Sequence, residues 1–266
     1  MSWRAACVAI FLWGSPAYAG ELNLAGKIIQ GGLVVGWATP GAKLMLDGKS
    51  IQQAQTGDFL LGFSRDAEAR SDLKVLFKDG STKKRVLIVE QRDYKIQRID
   101  GLPKRKVTPN AKDLTRIQRE RVLISKARLT LVDEPHFRAG FTRPVLGRLS
   151  GVYGSQRILN GNPRRPHYGI DIAAPSGTDI KAASAGMVVF AHSGMFFNGK
   201  TLIISHGMGL RSTYIHMSAI TVKAGDRVVK GQVVGKVGKT GRATGPHLHW
   251  GLTLGRTPLD PELILN

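Results

Sequence analysis

Gly186-Met187-Val188-Val189-Phe190-Ala191, Lys200-Thr201-Leu202-Ile203-Ile204-Ser205 and Arg211-Ser212-Thr213-Tyr214-Ile215-His216 are three short apolar runs separated by glycine-bearing connections. Runs of this length, rich in β-branched and aromatic residues and bounded by turn residues, read as strands. Asp226 to Val237 carries the same signal around Lys230-Gly231 and reads as a tight hairpin region. No long helical period follows Val132. Residues 140–266 are therefore expected to form a glycine-rich antiparallel β domain.

Upstream, residues 20–100 read as a second, smaller β domain. Ile28-Ile29, Leu33-Val34-Val35, Lys43 to Leu46, Phe59 to Phe63, Lys74 to Phe77 and Arg85 to Val89 are short apolar or alternating runs. Pro40-Gly41, Asp47-Gly48, Thr56-Gly57-Asp58 and Asp79-Gly80 punctuate them, and Asp-Gly supplies the positive φ that tight hairpins need. An antiparallel sandwich, immunoglobulin-like in strand number, is the expectation. The segment contains no histidine, so no metal chemistry is assigned to it.

Residues 101–132 read as a linker and a basic helix. Pro103, Pro109 and the run Lys104-Arg105-Lys106 disfavour packed structure, whereas Asn110 to Leu129 has helical spacing. Asn110 is the expected N-cap, and Leu114, Ile117, Ile124 and Arg128 form the expected packing stripe. One narrow stripe suits packing on a neighbouring domain better than lying on a membrane.

At the N-terminus, Arg4 precedes the apolar run Ala5 to Trp13, and Ala17-Tyr18-Ala19 stands before Gly20. This is the pattern of a cleavable secretory signal over residues 1–19. A transmembrane anchor needs about 20 apolar residues, so none is expected here. The single cysteine, Cys7, falls within the signal, which leaves the mature chain no disulfide and no thiolate ligand. The formal charge of +20 attracts polyanions. Nucleic acid is not the expected partner: aromatic residues make up 7 %, and no basic-aromatic stacking pattern or recognised motif accompanies the charge. An exported basic chain meets anionic envelope polymers instead.

Chemistry concentrates in three places: His167-Tyr168-Gly169-Ile170-Asp171, Tyr214-Ile215-His216 and Gly245-Pro246-His247-Leu248-His249-Trp250. Residues i and i+2 of a strand share a face, so His247 and His249 can enter one site together. Two imidazoles and a carboxylate make a zinc shell with one position open, and further histidines remain for proton handling. An HExxH helix and a G-x-S-x-G elbow are both absent, which removes glutamate-base zincins and serine hydrolases. A biotinyl- or lipoyl-carrier barrel would suit the hairpins. However, no lysine sits in a methionine-flanked carrier context, and a carrier explains none of the histidines.

These motifs together resemble the LytM/lysostaphin-type metallopeptidases, peptidase family M23. The similarity runs from about Arg143 to Leu265 and takes in Ala182 to Gly186, His206 to Leu210, Val222 to Asp226, Gly231 to Gly235 and Thr240 to His247. The resemblance implies a LytM-type β domain that holds one Zn2+ through His167, Asp171 and His249, with His216 and His247 as catalytic residues. It implies a zinc endopeptidase of the Gram-negative periplasmic murein type. Such an enzyme hydrolyses peptide cross-links of peptidoglycan, D-Ala–diaminopimelate first among them, through a metal-activated water. The implied partners are peptidoglycan and an envelope protein regulator. The family also contains non-enzymatic LytM-type regulators that activate another wall hydrolase. Those relatives have lost metal ligands, whereas all three positions are filled here.

Four finer expectations follow from these motifs. Tyr153-Gly154-Ser155-Gln156-Arg157 departs from the Phe-Gly-x-Arg of many relatives and is expected to touch substrate-loop detail more than the metal. The basic helix and the loop Asn160 to Pro166 are expected to cover the groove. His206 is expected to support a turn, and His136 and His192 to lie on the surface. Tyr214 is placed either on the face of His216 or in the core.

Overall fold

The computed structural model describes residues 20–265. The expected signal segment, with Cys7 inside it, lies outside the described residues. The chain is mainly β, as expected. Its first seven strands are β1 (Leu22–Gly26), β2 (Leu33–Ala38), β3 (Lys43–Leu46), β4 (Lys49–Ile51), β5 (Asp58–Gly62), β6 (Arg70–Leu76) and β7 (Thr82–Ile88). They form two antiparallel sheets, β1-β2-β5 and β4-β3-β6-β7. Alternation sets the inner face: Ser71, Leu73 and Val75 of β6 are buried while their neighbours are exposed. Val34, Leu44, Phe59 and Leu61 meet them in one core. Between β3 and β4, Asp47 and Gly48 have φ of 49° and 75°. Two consecutive positive φ values match a type I′ hairpin. Ile28-Ile29 forms no strand; Ile29 makes only an isolated bridge to Glu90.

The stretch from Ile96 to Ala127 is more firmly built into the C-terminal half than its composition suggested. It contains β8 (Ile96–Ile99), α1 (Lys104–Val107) and α2 (Ala111–Ala127). Asn110 caps α2, its side chain accepting from Asp113 N at 2.9 Å. The buried stripe of α2 is not the expected one. Leu114 is 49 % exposed, and Asp113, Ile117, Glu120 and Ala127 face inward. Glu120 explains the rotation: both carboxylate oxygens accept from Phe196 N, at 3.0 and 2.8 Å. Arg116 pairs with the same carboxylate at 2.7 Å and also donates to Gly194 O at 2.8 Å. The helix is thus held on its neighbour by buried charge, which an apolar-stripe reading passes over. Among the described residues no helix is long and apolar enough to cross a membrane.

The remaining strands are β9 (Arg148–Gly151), β10 (Gln156–Leu159), β11 (Asn162–Pro163), β12 (Ile170–Ala173), β13 (Asp179–Lys181), β14 (Gly186–Met195), β15 (Gly199–Gly207) and β16 (Leu210–Met217). After them come β17 (Ala219–Ile220), β18 (Arg227–Val228), β19 (Val233–Lys236), β20 (His247–Leu254) and β21 (Thr257–Leu259). The main sheet runs β18-β14-β15-β16-β20-β12-β9, with β21 on β20; β13-β19-β17 and β11-β10-β8 are smaller sheets. β8 therefore pairs in parallel with β10, although it falls inside residues 20–100. Leu102 and Val107, from the stretch read as linker, pack on Leu159. The expected hairpin from Asp226 to Val237 is divided. β18 joins β14, and β19 joins β13 and β17, because Gly231 and Gln232 are pinned to Ala182 by main-chain bonds of 2.9 and 2.8 Å. Trp250, Tyr214, Ile172, Leu202, Leu248 and Leu252 form the buried centre of the main sheet.

Candidate metal centre

Three strands carry the histidines and the carboxylate to one place. β20 alternates: Leu248 and Trp250 are buried in the core, so His247 and His249 share the opposite face. In the antiparallel pairing of β12 with β20, Asp171 stands opposite His249, and Ala173 opposite His247. His167 lies just before β12, with its own N and O bonded to Ser155 O and Gly154 N at 2.9 and 2.8 Å. Asp171 Oδ1 is 2.8 Å from His249 Nδ1 and 3.1 Å from His167 Nε2. One donor atom from each of the three residues lies within 4.8 Å of the others.

His216 reaches the cluster by a backbone irregularity. It has a φ of 65° and lies where the β15–β16 register shifts, between the pairs Leu202–Tyr214 and Lys200–Met217. The shift breaks strand parity. Tyr214 therefore points into the core, fully buried, with its hydroxyl accepting from Ala183 N at 2.9 Å, while His216 faces His247 and His249. The His216 and His247 ring centroids are 4.8 Å apart, and those of His216 and His249 are 6.4 Å apart.

Hydrogen bonding settles which nitrogens are available. Nδ1 of His167, His216 and His247 donates to the carbonyls of Val152, Thr240 and Gly245, at 3.1, 2.8 and 2.9 Å. Each bond fixes the ring and leaves Nε2 as a lone-pair donor, as a second layer does around a metal. Burial lowers His167 to about 4, and burial followed by the nearby His247 and His249 lowers His216 to about 3. Both are neutral at physiological pH. Burial alone would raise Asp171, but its close imidazole neighbours His167 and His249 outweigh it and hold the carboxylate well below its usual range.

The donor set fits a divalent ion of borderline softness: two imidazoles, one carboxylate and further imidazoles beside them. Arg157 is the residue that sequence reasoning misplaced. Its guanidinium pairs with Asp171 Oδ2, and its Nε lies 3.2 Å from Gln97 Oε1, so this motif touches the candidate ligand itself. The cavity leading to Asp171, His216 and His247 has a volume of about 160 Å3. Gln97, Ile99 and Leu102 form one of its walls, a role expected of α2 and the loop after Asn160.

The other histidines lie elsewhere. His206, expected to support a turn, is fully buried, with Nδ1 2.7 Å from Ala185 O and Nε2 2.7 Å from Ser212 Oγ across the turn between β15 and β16; burial lowers it to about 4. His192 stacks on Phe190, and His136 lies half-buried near Glu134; neither joins the cluster.

Comparison with known proteins follows this geometry. The model of peptidase family M23 matches residues 165–261. DD-carboxypeptidase/endopeptidase Mpg of Neisseria meningitidis is 37 % identical over 118 residues, which are 44 % of this chain and 27 % of that protein. Peptidoglycan DD-endopeptidase ShyA of Vibrio cholerae is 38 % identical over 114 residues, 42 % of this chain and 26 % of its own. The chain thus spans about a quarter of the length of these curated relatives. The likeness to a Pseudomonas aeruginosa crystal structure described as a peptidase M23 extends over both halves. It has 30 % identity and a TM-score of 0.68, and covers 90 % of this chain and 95 % of that one. With nearly the whole of a relative matched at that identity, the chain belongs to peptidase family M23.

Proposed function

We propose that this protein is an exported zinc endopeptidase that hydrolyses peptide cross-links of peptidoglycan, with D-Ala–diaminopimelate the preferred bond. The observation that carries this reading is the convergence of His167, Asp171 and His249 within 4.8 Å, beside two imidazoles whose Nε2 atoms are left free. His167, Asp171 and His249 would hold the ion. Zinc, when bound, supplies Lewis acidity that polarises the scissile carbonyl and acidifies a water. His216 enters the reaction neutral, with Nε2 able to take a proton, because burial disfavours its cation and Thr240 O holds its Nδ1 proton. His247 presents a second Nε2 lone pair across 4.8 Å between ring centroids, placed to accept a proton released from the attacking water and hand it to the departing amine. Arg157 and the carbonyls of Val152, Thr240 and Gly245 orient these groups.

Residues 1–19 would direct export, and a periplasmic location brings a strongly basic protein to a carboxylate-rich wall polymer. The names of the two curated relatives, DD-carboxypeptidase/endopeptidase and peptidoglycan DD-endopeptidase, support the substrate class. The regulator reading of the same fold is the weaker one, since it leaves a complete donor set without use. Purified cross-linked muropeptide dimers test the proposal. Mature protein with zinc should convert dimers to monomers, chelator should stop it, and His249→Ala should be inactive. Dimers that stay intact with stoichiometric zinc bound would sink the endopeptidase reading.

A further inference from the structure

Arg242 is a cation without an anion. Its guanidinium lies over the ring of Phe197, with Cζ 4.5 Å from the centroid, and its main-chain N donates to Phe197 O at 2.8 Å. Among the described residues it enters no ion pair, and its one protein side-chain bond is a 3.5 Å contact with Lys106 O. Arg164 is in the same position, donating only to Val107 O and Pro163 O. Burial, then the like charges of Arg157 and Arg164, lower Arg242 to about 10. Two guanidinium groups, those of Arg157 and Arg242, thus line the cavity that opens on His216 and His247, and Arg164 lies close enough to add its like charge to Arg242. The carboxylate within that cavity, Asp171, is already engaged by His167, His249 and Arg157.

Holding a partly desolvated cation beside two others is unfavourable unless an anion arrives to meet it. The anion must be small, because the cavity is about 160 Å3 and part of its wall is apolar, from Ile99, Leu102 and Leu159. A planar carboxylate suits a guanidinium through two parallel hydrogen bonds. The substrate must bring that carboxylate within a few ångströms of the reacting amide, since the same cavity holds His216 and His247.

We propose that Arg242, with Arg157 and Arg164 beside it, seats a free carboxylate on the carbon that bears the scissile amide nitrogen. The inference rests on the peptidase reading and narrows it. In a D-Ala–diaminopimelate cross-link the leaving amine sits on a carbon carrying a carboxylate, and a terminal D-alanyl-D-alanine has the same arrangement. Interior residues of a glycine bridge carry none. Hydrolysis adds water across the amide, giving a carboxylate and a free amine. The seat holds the amine fragment throughout and takes no part in bond making. Arg242 is therefore a specificity-determining residue, and the cationic wall selects against uncharged bridges.

Two synthetic cross-linked peptides, identical except for a free carboxylate or a carboxamide at that carbon, test the proposal with zinc-loaded mature protein. A hydrogen bond to a charged group is worth enough that kcat/KM should favour the free acid by about 10-fold or more. In Arg242→Ala the ratio should fall towards one, and Arg242→Lys should restore part of it. Calorimetric titration of chelator-treated protein with both peptides should show the same preference in Kd, independent of turnover. Equal cleavage of the two peptides by wild type would overturn the carboxylate seat and leave the peptidase reading standing. A ratio kept intact in Arg242→Ala would also overturn it. Cleavage of neither peptide would remove both.

Discussion

His167, His216 and His247 each give the Nδ1 proton to a main-chain carbonyl, so three imidazoles are oriented by backbone that substitution of side chains leaves in place. Asp171 is different, because its orientation depends on Arg157 and on the space left by Gly151. A Cβ at Gly151 would lie 2.5 Å from Asp171 Oδ2, closer than any contact allows. Gly151→Ala should therefore displace the carboxylate, and a misplacement near 1 Å costs about 100-fold in rate. The check is kcat/KM on cross-linked dimers beside a far-ultraviolet spectrum; full activity in a folded variant would contradict the account. Arg157→Ala removes the outer partner of the same carboxylate and should weaken metal affinity by about 10-fold, read by competition with a chromophoric chelator. The convergence of the candidate ligands His167, Asp171 and His249 was legible only through the resemblance to family M23, because H-x-x-x-D and H-x-H each fix donors locally but do not bring the two motifs together. The role of Arg157 was not, since its contact with Asp171 depends on how β10 and β12 lie in the fold. The sequence left Tyr214 open between the face of His216 and the core, and the register shift at His216 places it in the core.

At the scale of elements, buried charge decides where α2 sits. Glu120 accepts from Phe196 N with both oxygens while Arg116 approaches from outside, so the carboxylate satisfies an amide that packing has removed from water. Glu120→Ala leaves that amide unpartnered and should cost about 1–3 kcal/mol. A urea midpoint lowered at unchanged m would show it, whereas no shift would mean that α2 contributes little to stability. The same comparison shows what short-range reading can detect. Phe59 to Phe63 and Lys43 to Leu46 announced β5 and β3 through apolar runs bounded by turns. Ile96-Gln97-Arg98-Ile99 has apolar residues only at its ends, and its partner strand lies about sixty positions away; nothing local marks β8. Halves of an apparent hairpin, β18 and β19, went to different sheets because the turn bonds Ala182 more firmly than its arms bond each other.

For the whole molecule, protons and metal act on the same balance in opposite directions. His167, His206 and His216 are held near 4, 4 and 3 in the folded chain, against about 6.5 when unfolded. The unfolded chain then binds more protons between these limits, so the stability these groups confer is complete above pH 6.5. It is lost as pH falls through about 4. Each such histidine contributes a slope of about 1.4 kcal/mol per pH unit in that window. In metal-free protein the urea midpoint should fall steadily from pH 6.5 to 4, and His206→Gln, which leaves the metal cluster alone, should remove one proton from the slope. An unchanged slope would mean that His206 is not neutral in the folded state.

Metal works against this loss. A metal held as proposed by His167, Asp171 and His249 would tie the approach to β12 to β20, and the unfolded chain has no comparable site, so its binding energy would become folding energy. Zinc at a thousandfold excess over its Kd should add about 4 kcal/mol. Most of that gain should appear as slowed amide exchange in β12 and β20. The sheets packed around Phe59 and Leu73 belong to a separate core and should respond less. His249→Ala should abolish the zinc-dependent rise in Tm while keeping the metal-free Tm near that of wild type. A rise that survives the substitution would place the metal elsewhere.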